Sequence, residues 1–487
     1  MLQDIREADA WYSGDQDKLM AHTGMTVKLP SQQNSFGISF RGGISFWRRR
    51  ANDRTGKQIN RIHVPVASDI AAANSDMLFG DAPVIQIPEA HLETALTDAK
   101  LTEDRLQELL GLLSFESMLL EAADVCSGIG GIYLVPGWDK EVADYPLVSV
   151  IHQDAAIPEY RMGHLTAVTF WRQVEKDGKK IMRHLERHEK GVIFHGLYSG
   201  SDDFLGDAVP LADHKSTADF DPEIKLPDGI SLLPAYIPNM MPNQKRRGLR
   251  VGRSDTAGCE SLMDALDETF TSWMRDIRVG QARIIVPDEF LERSGRGQGA
   301  RFDLDRELFV GLDMDPGSFE KAGITENQFT IRTQEHADTA VSLFERIVTS
   351  AGYSPQSFGL HIEGQGESGI ALRTREKKSI NTTGKKAKYW QSAVESTLEK
   401  VLIIDKAEFS GSHKIFRPRV EIEGNFARDP RETAETIDLL RRAGAASTRI
   451  RVKMAQPHLE GEELEGEVQR VMEEEGMIVE DPTGGLV

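Results

Sequence analysis

The sequence has very little cysteine: two residues, Cys126 and Cys259, in a chain of 487. A disulfide framework in a protein of this length needs more cysteines, so that class of protein is excluded. Both thiols lie in apolar or helical contexts, where cysteine most often packs as a small buried side chain. We therefore expect two buried free thiols.

Long apolar runs are also missing. No stretch of about eighteen apolar residues occurs, which excludes a standard membrane-spanning helix. The first residues, MLQDIREADAWYSG, lack the basic and then apolar order of a secretory signal peptide. We expect a soluble chain that has no membrane partner and is not exported by that route.

Positive charge is in short supply. The chain has 58 lysines and arginines against 77 aspartates and glutamates, which gives a formal net charge of -19. Affinity for duplex DNA comes mostly from cations that neutralise phosphates, so a simple nucleic-acid clamp is excluded. DNA as a moving cargo remains compatible with this charge, because an acidic wall repels the duplex and keeps it centred.

Standard catalytic motifs are absent too. The chain has no G-x-x-x-x-G-K-[ST] phosphate-binding loop, since Thr55-Gly-Lys57 lacks both the first glycine and the closing hydroxyl residue. Neither G-x-S-x-G nor H-E-x-x-H occurs. We expect no enzyme activity, no catalytic residues, no metal and no cofactor.

Helical and strand-like patterns alternate along the chain, which predicts an α+β fold with two or more regions. In the first 250 residues, helical spacing predicts helices over residues 67–79 and 103–123. Alternating apolar and polar residues predict strands over 165–173 and 191–198.

His184 and His188 invite a metal-site interpretation. The strand pattern around them places both side chains on one face of a hairpin. No further cluster of histidines, cysteines and carboxylates accompanies them in the sequence, so we expect exposed sheet histidines instead.

The most informative segment runs from residue 233 to 286. Three prolines interrupt regular structure at its start, after which Ser254 or Asp255 can cap a long helix that Gly280 ends. Some 25 helical residues make a rod of roughly 37 Å. The apolar stripe of this rod includes Leu262, Leu266, Phe270 and Trp273.

A loop-rich region follows, with short strand candidates at residues 284–286, 308–310 and 329–331. A second helix is predicted over 335–351, with Gly352 as its stop. A third covers about 368–405, and a bend is expected at 381–384, where Asn-Thr-Thr-Gly lowers helix propensity. The C-terminal part is predicted to be helical again, with starts near Pro430 and Ser447.

The loop before the third helix contains Gly364-Gln-Gly366-Glu-Ser-Gly369, which fits the G-x-G-x-x-G pattern of dinucleotide-binding loops. That pattern needs a buried strand before it and a βαβ unit after it. Here the preceding apolar stretch is short and the following helix is too long. We favour a flexible loop that feeds a helix, with a nucleotide-binding enzyme as the weaker alternative.

The third helix carries the one strongly basic stretch of the chain. Its cations are Arg373, Arg375, Lys377, Lys378, Lys385, Lys386 and Lys388. They can contact DNA phosphates or pair with acidic groups across a subunit interface. Helical spacing spreads the charges around the axis, which favours the interface, while the phosphate interpretation stays open.

Short motifs recur in a definite order along nearly the whole chain. They include Ala10-Trp-Tyr-Ser-Gly-Asp15, His63-Val-Pro-Val66, Leu78-Phe-Gly80, Gly130-Gly-Ile-Tyr133, Leu185-Glu-Arg-His188, Ile237-Pro-Asn239, Gly252-Arg-Ser-Asp255, Leu266-Asp-Glu-Thr269, Ser272-Trp-Met-Arg-Asp276 and Ser368-Gly-Ile-Ala-Leu372. Each motif is weak alone. The ordered set resembles the portal proteins of long-tailed double-stranded DNA phages, in the SPP1-like branch and closest to actinobacteriophage portals.

The resemblance implies a multi-region portal fold. Its regions would be an α/β wing (1–253), a first stem helix (254–282), a strand-containing clip (283–332), a second stem helix (333–352), a tunnel loop (353–369), a bent spine helix with a wing strand (370–428) and a helical crown (429–487). The stem interface between subunits would use Leu262, Leu266, Phe270 and Trp273. The tunnel loop and DNA channel would use Gln356, Ser357, His361, Gln365, Arg373 and Arg375.

The resemblance also implies a function. About twelve copies would form a ring at one capsid vertex, through which double-stranded DNA is packaged and ejected as a non-specific cargo. Expected partners are the terminase large subunit, a head-to-tail connector or adaptor, the major capsid protein and a scaffolding protein, with assembly in the host bacterial cytoplasm. Another phage head structural or adaptor protein is the alternative.

Overall fold

The computed structural model describes residues 2–23, 61–88, 96–202, 204–279, 283–285, 292–293, 300–301, 325–327, 332–359, 369–409, 411–422, 430–456, 459 and 461–474. Helices and antiparallel sheets build these parts of the chain. The predicted α+β class is therefore confirmed.

The helices and strands alternate along the described residues. The helices are α1 (Leu2–Ser13), α2 (Gln16–Thr23), α3 (Val66–Phe79), α4 (Leu96–Leu112), α5 (Phe115–Ile129), α6 (Glu260–Val279), α7 (Thr333–Ala351), α8 (Gly369–Glu408), α9 (Pro430–Arg442), α10 (Thr448–Ala455) and α11 (Gly461–Glu474). The strands are β1 (Val84–Gln86), β2 (Gly131–Gly137), β3 (Leu147–His152), β4 (Ala156–Arg161), β5 (His164–Asp177), β6 (Lys180–Glu189), β7 (Val192–Gly200), β8 (Asp207–Val209), β9 (Glu223–Lys225), β10 (Ala235–Pro238), β11 (Arg283–Ile285), β12 (Glu292–Arg293), β13 (Ala300–Arg301), β14 (Thr325–Asn327) and β15 (Arg419–Glu421).

The single helix predicted over 103–123 is wrong. The chain forms two helices there, α4 and α5, which are separated at Leu113 and Ser114. Ser114 adopts a left-handed conformation with φ of 47°, which a continuous right-handed helix does not allow. The helix predicted over 67–79 is confirmed by α3, and the strands predicted over 165–173 and 191–198 are confirmed by β5 and β7.

The later helices agree better with the predictions. Helix α7 matches the second predicted helix and ends at Ala351, directly before Gly352. Helix α8 runs unbroken through residues 381–384, and the bend expected there stays a prediction. Strand β11 confirms the first strand candidate after the long helix, while the candidates at 308–310 and 329–331 lie outside the described residues.

The chain divides into two compact units. Unit 1 contains Met1–Ala71, Gly128–Gly130 and Met241–Ala351, and unit 2 contains Ala72–Ser127, Gly131–Met240 and Gly352–Val487. The division into wing, stem, clip, tunnel loop, spine and crown stays a prediction.

In unit 1, the extended segment at residues 61–64 is tied to helix α6. Asp267, which is 1% exposed, accepts hydrogen bonds from the Val64 amide and the His63 ring, each at 2.9 Å. Trp11 of α1 packs against the His63 ring, with ring centroids 5.7 Å apart. A buried carboxylate with two partners fixes the position of the segment along the helix.

In unit 2, helix α8 passes through two apolar clusters. Trp390 and Val394 belong to the first cluster, in which the Trp390 indole meets the Phe79 ring edge-on at 4.9 Å. Ile403 and Ile404, near the end of the helix, belong to the second cluster. One helix of about 60 Å therefore supplies side chains to both cores.

The largest described sheet lies in unit 2 and is antiparallel. Its strands follow the order β4-β5-β6-β7-β8. Strand β9 pairs with the first residues of β7, ahead of the part of β7 that pairs with β8. A separate three-stranded sheet has the order β10-β2-β3. In the larger sheet Arg172 pairs with His184 and Glu186 pairs with His195, so β5, β6 and β7 bring polar side chains to neighbouring positions.

Candidate functional site

Helix α6 begins at Glu260, later than the sequence predicts. Ser254 and Asp255 are buried in the turn that precedes the helix, and the Ser254 hydroxyl accepts a hydrogen bond from the Thr256 amide at 3.3 Å. The predicted N-cap is therefore wrong. The turn continues through Gly258, whose φ of 93° suits glycine, before the first helical residue.

Helices α6 and α7 pack against each other in unit 1. The Trp273 indole stacks on the His336 imidazole with ring centroids 6.2 Å apart and planes 9° apart. Its centroid also lies 6.0 Å from that of Phe270. These contacts hold the indole against its own chain.

Three polar side chains interact where helix α6 ends and helix α7 begins. Asp276 of α6 lies 3.1 Å from His336 Nε2 and 3.3 Å from Arg332 Nη2. The His336 hydrogen bond, helped by Arg332, holds the pKa of Asp276 below its usual range. The carboxylate therefore stays charged at neutral pH and ties the end of one helix to the start of the other.

The residues predicted for the stem interface differ in exposure. Leu266 is 1% exposed and is covered by its own chain, so it offers no free surface to a neighbour. The half-buried members are Leu262, Phe270 and Trp273. Ile277 and Val341, on α6 and α7, are 39% and 45% exposed. Partly exposed apolar side chains thus occur on both helices.

The start of the predicted tunnel loop is anchored to helix α8. Gln356 and Ser357 lie in a short 3-10 helix, Pro355–Phe358. The buried Ser379 hydroxyl accepts the Ser354 amide at 2.8 Å and lies 3.0 Å from the Ser357 hydroxyl. His361 and Gln365 lie outside the described residues, as do the side chains of Arg373 and Arg375 in the first turns of α8.

The basic stretch of α8 contains one lysine that does not belong to a basic surface. Lys386 is fully buried, and its Nζ donates hydrogen bonds to Asn74 Oδ1 at 2.8 Å and to the Tyr353 hydroxyl oxygen at 2.7 Å. The Tyr353 hydroxyl in turn donates to Asn74 Oδ1 at 2.9 Å. For Lys386, the predicted role at an interface or at DNA is wrong, because its charge is held inside unit 2. Among the cations of this stretch whose side chains the structure describes, the exposed ones are Lys377, Lys378, Lys385 and Lys388.

The histidines of β6 are buried, contrary to the prediction that they are exposed. His184 is 2% exposed and His188 is 0% exposed. They do share one face of the strand, as predicted, and Glu186 lies between them on that face. Different rings cover the two histidines: Phe220 stacks on His184 with centroids 5.4 Å apart, and Phe170 meets His188 edge-on at 5.3 Å.

A chain of hydrogen bonds links these side chains to their neighbours. Arg172 Nε donates to His184 Nδ1 at 3.2 Å, and His184 Nε2 lies 3.1 Å from His195 Nδ1. Since Arg172 can only donate, His184 carries its proton on Nε2 and donates to His195. His188 Nε2 lies 2.6 Å from Glu186 Oε1.

Burial and the neighbouring charges set the protonation of this group. Burial, followed by the charges of Arg172 and His195, lowers the pKa of His184 to about 4. Burial also lowers the pKa of His195. Burial by itself would raise the pKa of Glu186, but the hydrogen bond from His188 and the other nearby histidines bring it below its usual range. Glu186 is therefore ionised and His184 neutral at pH 7.

A cavity of about 810 Å³ in unit 2 is lined by this group. Aromatic and charged side chains share its wall, including Trp138, Trp171, Asp219 and Phe220. Among the described residues, His184, Glu186 and His195 are the set whose spacing suits a metal ion, with ligand atoms all within 4.8 Å of one another.

The dinucleotide-binding alternative finds no support in the described strands. A βαβ unit needs parallel strands joined by a crossover helix. Helix α8 has 40 residues, and β15, which follows it, pairs antiparallel with β1. The pairings observed among the described strands are all antiparallel.

Comparison with protein families decides the identity of the chain. Residues 1–481 match the family described as phage portal protein, SPP1 Gp6-like. The chain belongs to this portal family. The predicted resemblance is confirmed over nearly the whole sequence, and the chain is a portal protein of the phage head.

Portal proteins of this family are structural rather than enzymatic, and they act in DNA packaging and as head-tail connectors in the virion. No individual curated protein matches this portal protein. Among its described residues, no helix combines the length and the apolar character needed to cross a bilayer.

In this portal protein, sequence reasoning missed several residues of the cavity that His184, Glu186 and His195 line. Glu186 lies beside the predicted histidines, but Arg172 and His195 come from other strands, and Phe220 comes from the connection after β8. Alternation along each strand indicates which side chains share a face. The register between strands, which places His195 opposite Glu186, is needed to find the cluster.

Proposed function

We propose that this portal protein forms a closed ring of about twelve copies at one capsid vertex, with a central channel through which double-stranded DNA is packaged and later ejected. The family match over residues 1–481 carries this proposal. The formal net charge of -19 supports it, because a mostly acidic lining repels the duplex and lets it slide without tight binding.

The stem of the ring would be built from α6 and α7. These helices carry half-buried Leu262, Phe270 and Trp273 together with exposed Ile277 and Val341. Side-by-side packing of neighbouring subunits would remove this apolar surface from water, which favours assembly. Residues 254–282 and 333–352 would be the stem, and residues 283–332 the clip.

The channel would be lined by the segment that joins the stem to α8. This tunnel loop covers residues 353–369, and the side chains assigned to DNA contact are Gln356, Ser357, His361, Gln365, Arg373 and Arg375. Short polar groups suit a moving duplex because they can touch phosphates without fixing the register of the sequence. The hydrogen bond from the Ser354 amide to the Ser379 hydroxyl supports this role, since a loop that contacts moving DNA needs its first residues to be held in position.

The remaining surfaces would serve partners. The clip would dock the terminase large subunit during packaging and the head-to-tail connector or adaptor afterwards. The wing, residues 1–253, would meet the major capsid protein and a scaffolding protein, with assembly in the host bacterial cytoplasm. Residues 370–428 would form the spine and wing strand, and residues 429–487 the crown.

Electron microscopy and native mass spectrometry of the purified protein test the proposal together. A ring with an open centre in end-on views and a particle of about 650 kDa, twelve times the 54.2 kDa chain, are expected. A different head or adaptor protein would give particles without a bore wide enough for duplex DNA. Solid particles, or helices α6 and α7 directed radially instead of along the bore, would contradict the proposal.

A further inference from the structure

We propose that His184, Glu186 and His195 form a binding site for a divalent transition-metal ion of the Zn²⁺ class. Their ligand atoms all lie within 4.8 Å of one another on one face of the large sheet in unit 2. The assignment goes beyond the channel function, which does not require a metal.

The two imidazole nitrogens have the spacing that a shared ion needs. His184 Nε2 and His195 Nδ1 are 3.1 Å apart. An ion at about 2.0–2.1 Å from each nitrogen would see them at an angle of roughly 100°, close to the tetrahedral angle preferred by Zn²⁺. Glu186 pairs with His195 across β6 and β7 and can add a carboxylate oxygen from the same face.

The surrounding residues support these three ligands. His188, which is fully buried, holds one oxygen of Glu186 through its Nε2 at 2.6 Å. A hydrogen bond of this kind orients a ligating carboxylate in known metal sites. The Phe220 ring stacks on both imidazoles, at 5.4 Å from His184 and 5.0 Å from His195, and so fixes their planes.

The site has an open side. The three residues line the cavity of about 810 Å³, which also reaches Asp219 and His152. Three protein ligands with a fourth position left for water is the arrangement of an accessible Zn²⁺ centre. A small anion or a carboxylate that enters the cavity could take the fourth position, whereas closed structural sites fill all four with side chains.

Arg172 competes with metal binding. Its Nε donates to His184 Nδ1 at 3.2 Å, which keeps the His184 proton on Nε2, the atom that would bind the metal. An ion on Nε2 requires the proton to move to Nδ1, and the guanidinium must then move away. Metal-free and metal-bound forms therefore differ in the position of Arg172, and removing this side chain should favour the metal.

A metal titration of the untagged full-length protein, purified with a chelator that is then removed, tests the site. Co²⁺ titration followed by visible absorption, with Zn²⁺ as competitor, should show one ion per chain and the spectrum of nitrogen and oxygen ligands. His195→Asn should weaken binding at least tenfold, and Arg172→Gln should strengthen it several-fold. His164→Asn, on the exposed end of β5, is the matched control and should leave the affinity unchanged.

The variants distinguish loss of metal binding from loss of the fold. His195 is only half-buried, so its variant is expected to fold, which circular dichroism and a melting curve can verify. Wild-type protein that shows no saturable binding up to millimolar Co²⁺ would overturn the site. So would binding that a folded His195→Asn variant retains in full, or binding that Arg172→Gln weakens.

Discussion

Trp273 of helix α6 lies face to face with His336 of helix α7, with the two ring planes 9° apart. The indole therefore has a structural role within one chain before any neighbour is present. Removing it affects two quantities: the free energy of unfolding of the subunit and the free energy of ring assembly. A change at His336 alters the first quantity and keeps the indole side chain available to a neighbouring subunit.

Trp273→Ala should impair the ring more than the subunit. We expect the free energy of unfolding to fall by about 1–3 kcal/mol, because the side chain is only partly buried, and ring yield to fall much further. Urea denaturation of dilute protein and native mass spectrometry of concentrated protein measure the two effects. His336→Ala should cost about 1–3 kcal/mol, because it removes both the ring contact and the hydrogen bond to Asp276, and it should preserve the ring. Wild-type ring yield from Trp273→Ala would remove this residue from the interface.

Deletion of residues 364–366 should separate assembly from DNA handling. These glycine-rich residues lie between the anchored 3-10 helix and α8, and the proposal assigns them to the channel and not to subunit packing. We expect normal rings in micrographs and a lower amount of DNA retained per capsid in a phage complementation assay. An unchanged phage yield would leave the loop without its assigned role.

Lys386→Ala should destabilise unit 2, although Lys386 sits in a run of basic residues. The change leaves a cavity and takes a donor from Asn74 and from Tyr353, so we expect the free energy of unfolding to fall by about 2–4 kcal/mol. Lys385→Ala, at the exposed neighbouring position, should change it by less than about 0.5 kcal/mol. Equal stabilities of the two variants in urea denaturation would argue against the buried position of Lys386.

Acid should weaken the fold through His184. The folded-state pKa of about 4 lies below the ordinary value of 6.5, so between these pH values the unfolded chain binds a proton that the folded chain does not. Stability is therefore lost as pH falls from 6.5 towards 4, by at most about 3 kcal/mol from this group. The charged and titratable side chains that face the His184 imidazole are those of Arg172, His195 and Glu186. All three are present both in the wild type and in a variant at position 184.

Melting temperatures of wild type and His184→Gln between pH 7.5 and 4.5 measure this contribution. The wild-type curve should fall more steeply below pH 6.5, because glutamine has no proton to gain. Parallel curves for the two proteins would show that burial of His184 does not control the acid sensitivity.

The sequence predicted the long elements well because their apolar spacing is regular. Helix α7 and strand β7 follow their patterns closely, and each ends at a glycine or in a turn. The break at Ser114 was missed because the apolar pattern continues through Leu112 and Leu113, and Gly111, the one residue nearby that weakens a helix, is often tolerated inside one. There the packing of two helices into one core overrides local propensity.

The site was harder to predict because its contacts join distant parts of the chain. Lys386 looks like one more exposed cation in the sequence, and its partner Asn74 lies 312 residues earlier. His195 comes beside His184 only through the register of β6 and β7. Residue type and spacing along one segment do not contain either relationship.

The shared helix α8 makes the two cores of unit 2 sensitive to insertion. One residue added or removed between Val394 and Ile403 turns everything beyond it by about 100°. Ile403 and Ile404 would then leave the second cluster while Trp390 and Val394 stayed in the first. The length of this stretch is therefore as constrained as its side chains: apolar substitutions can be repacked there, but a shift in helical phase cannot.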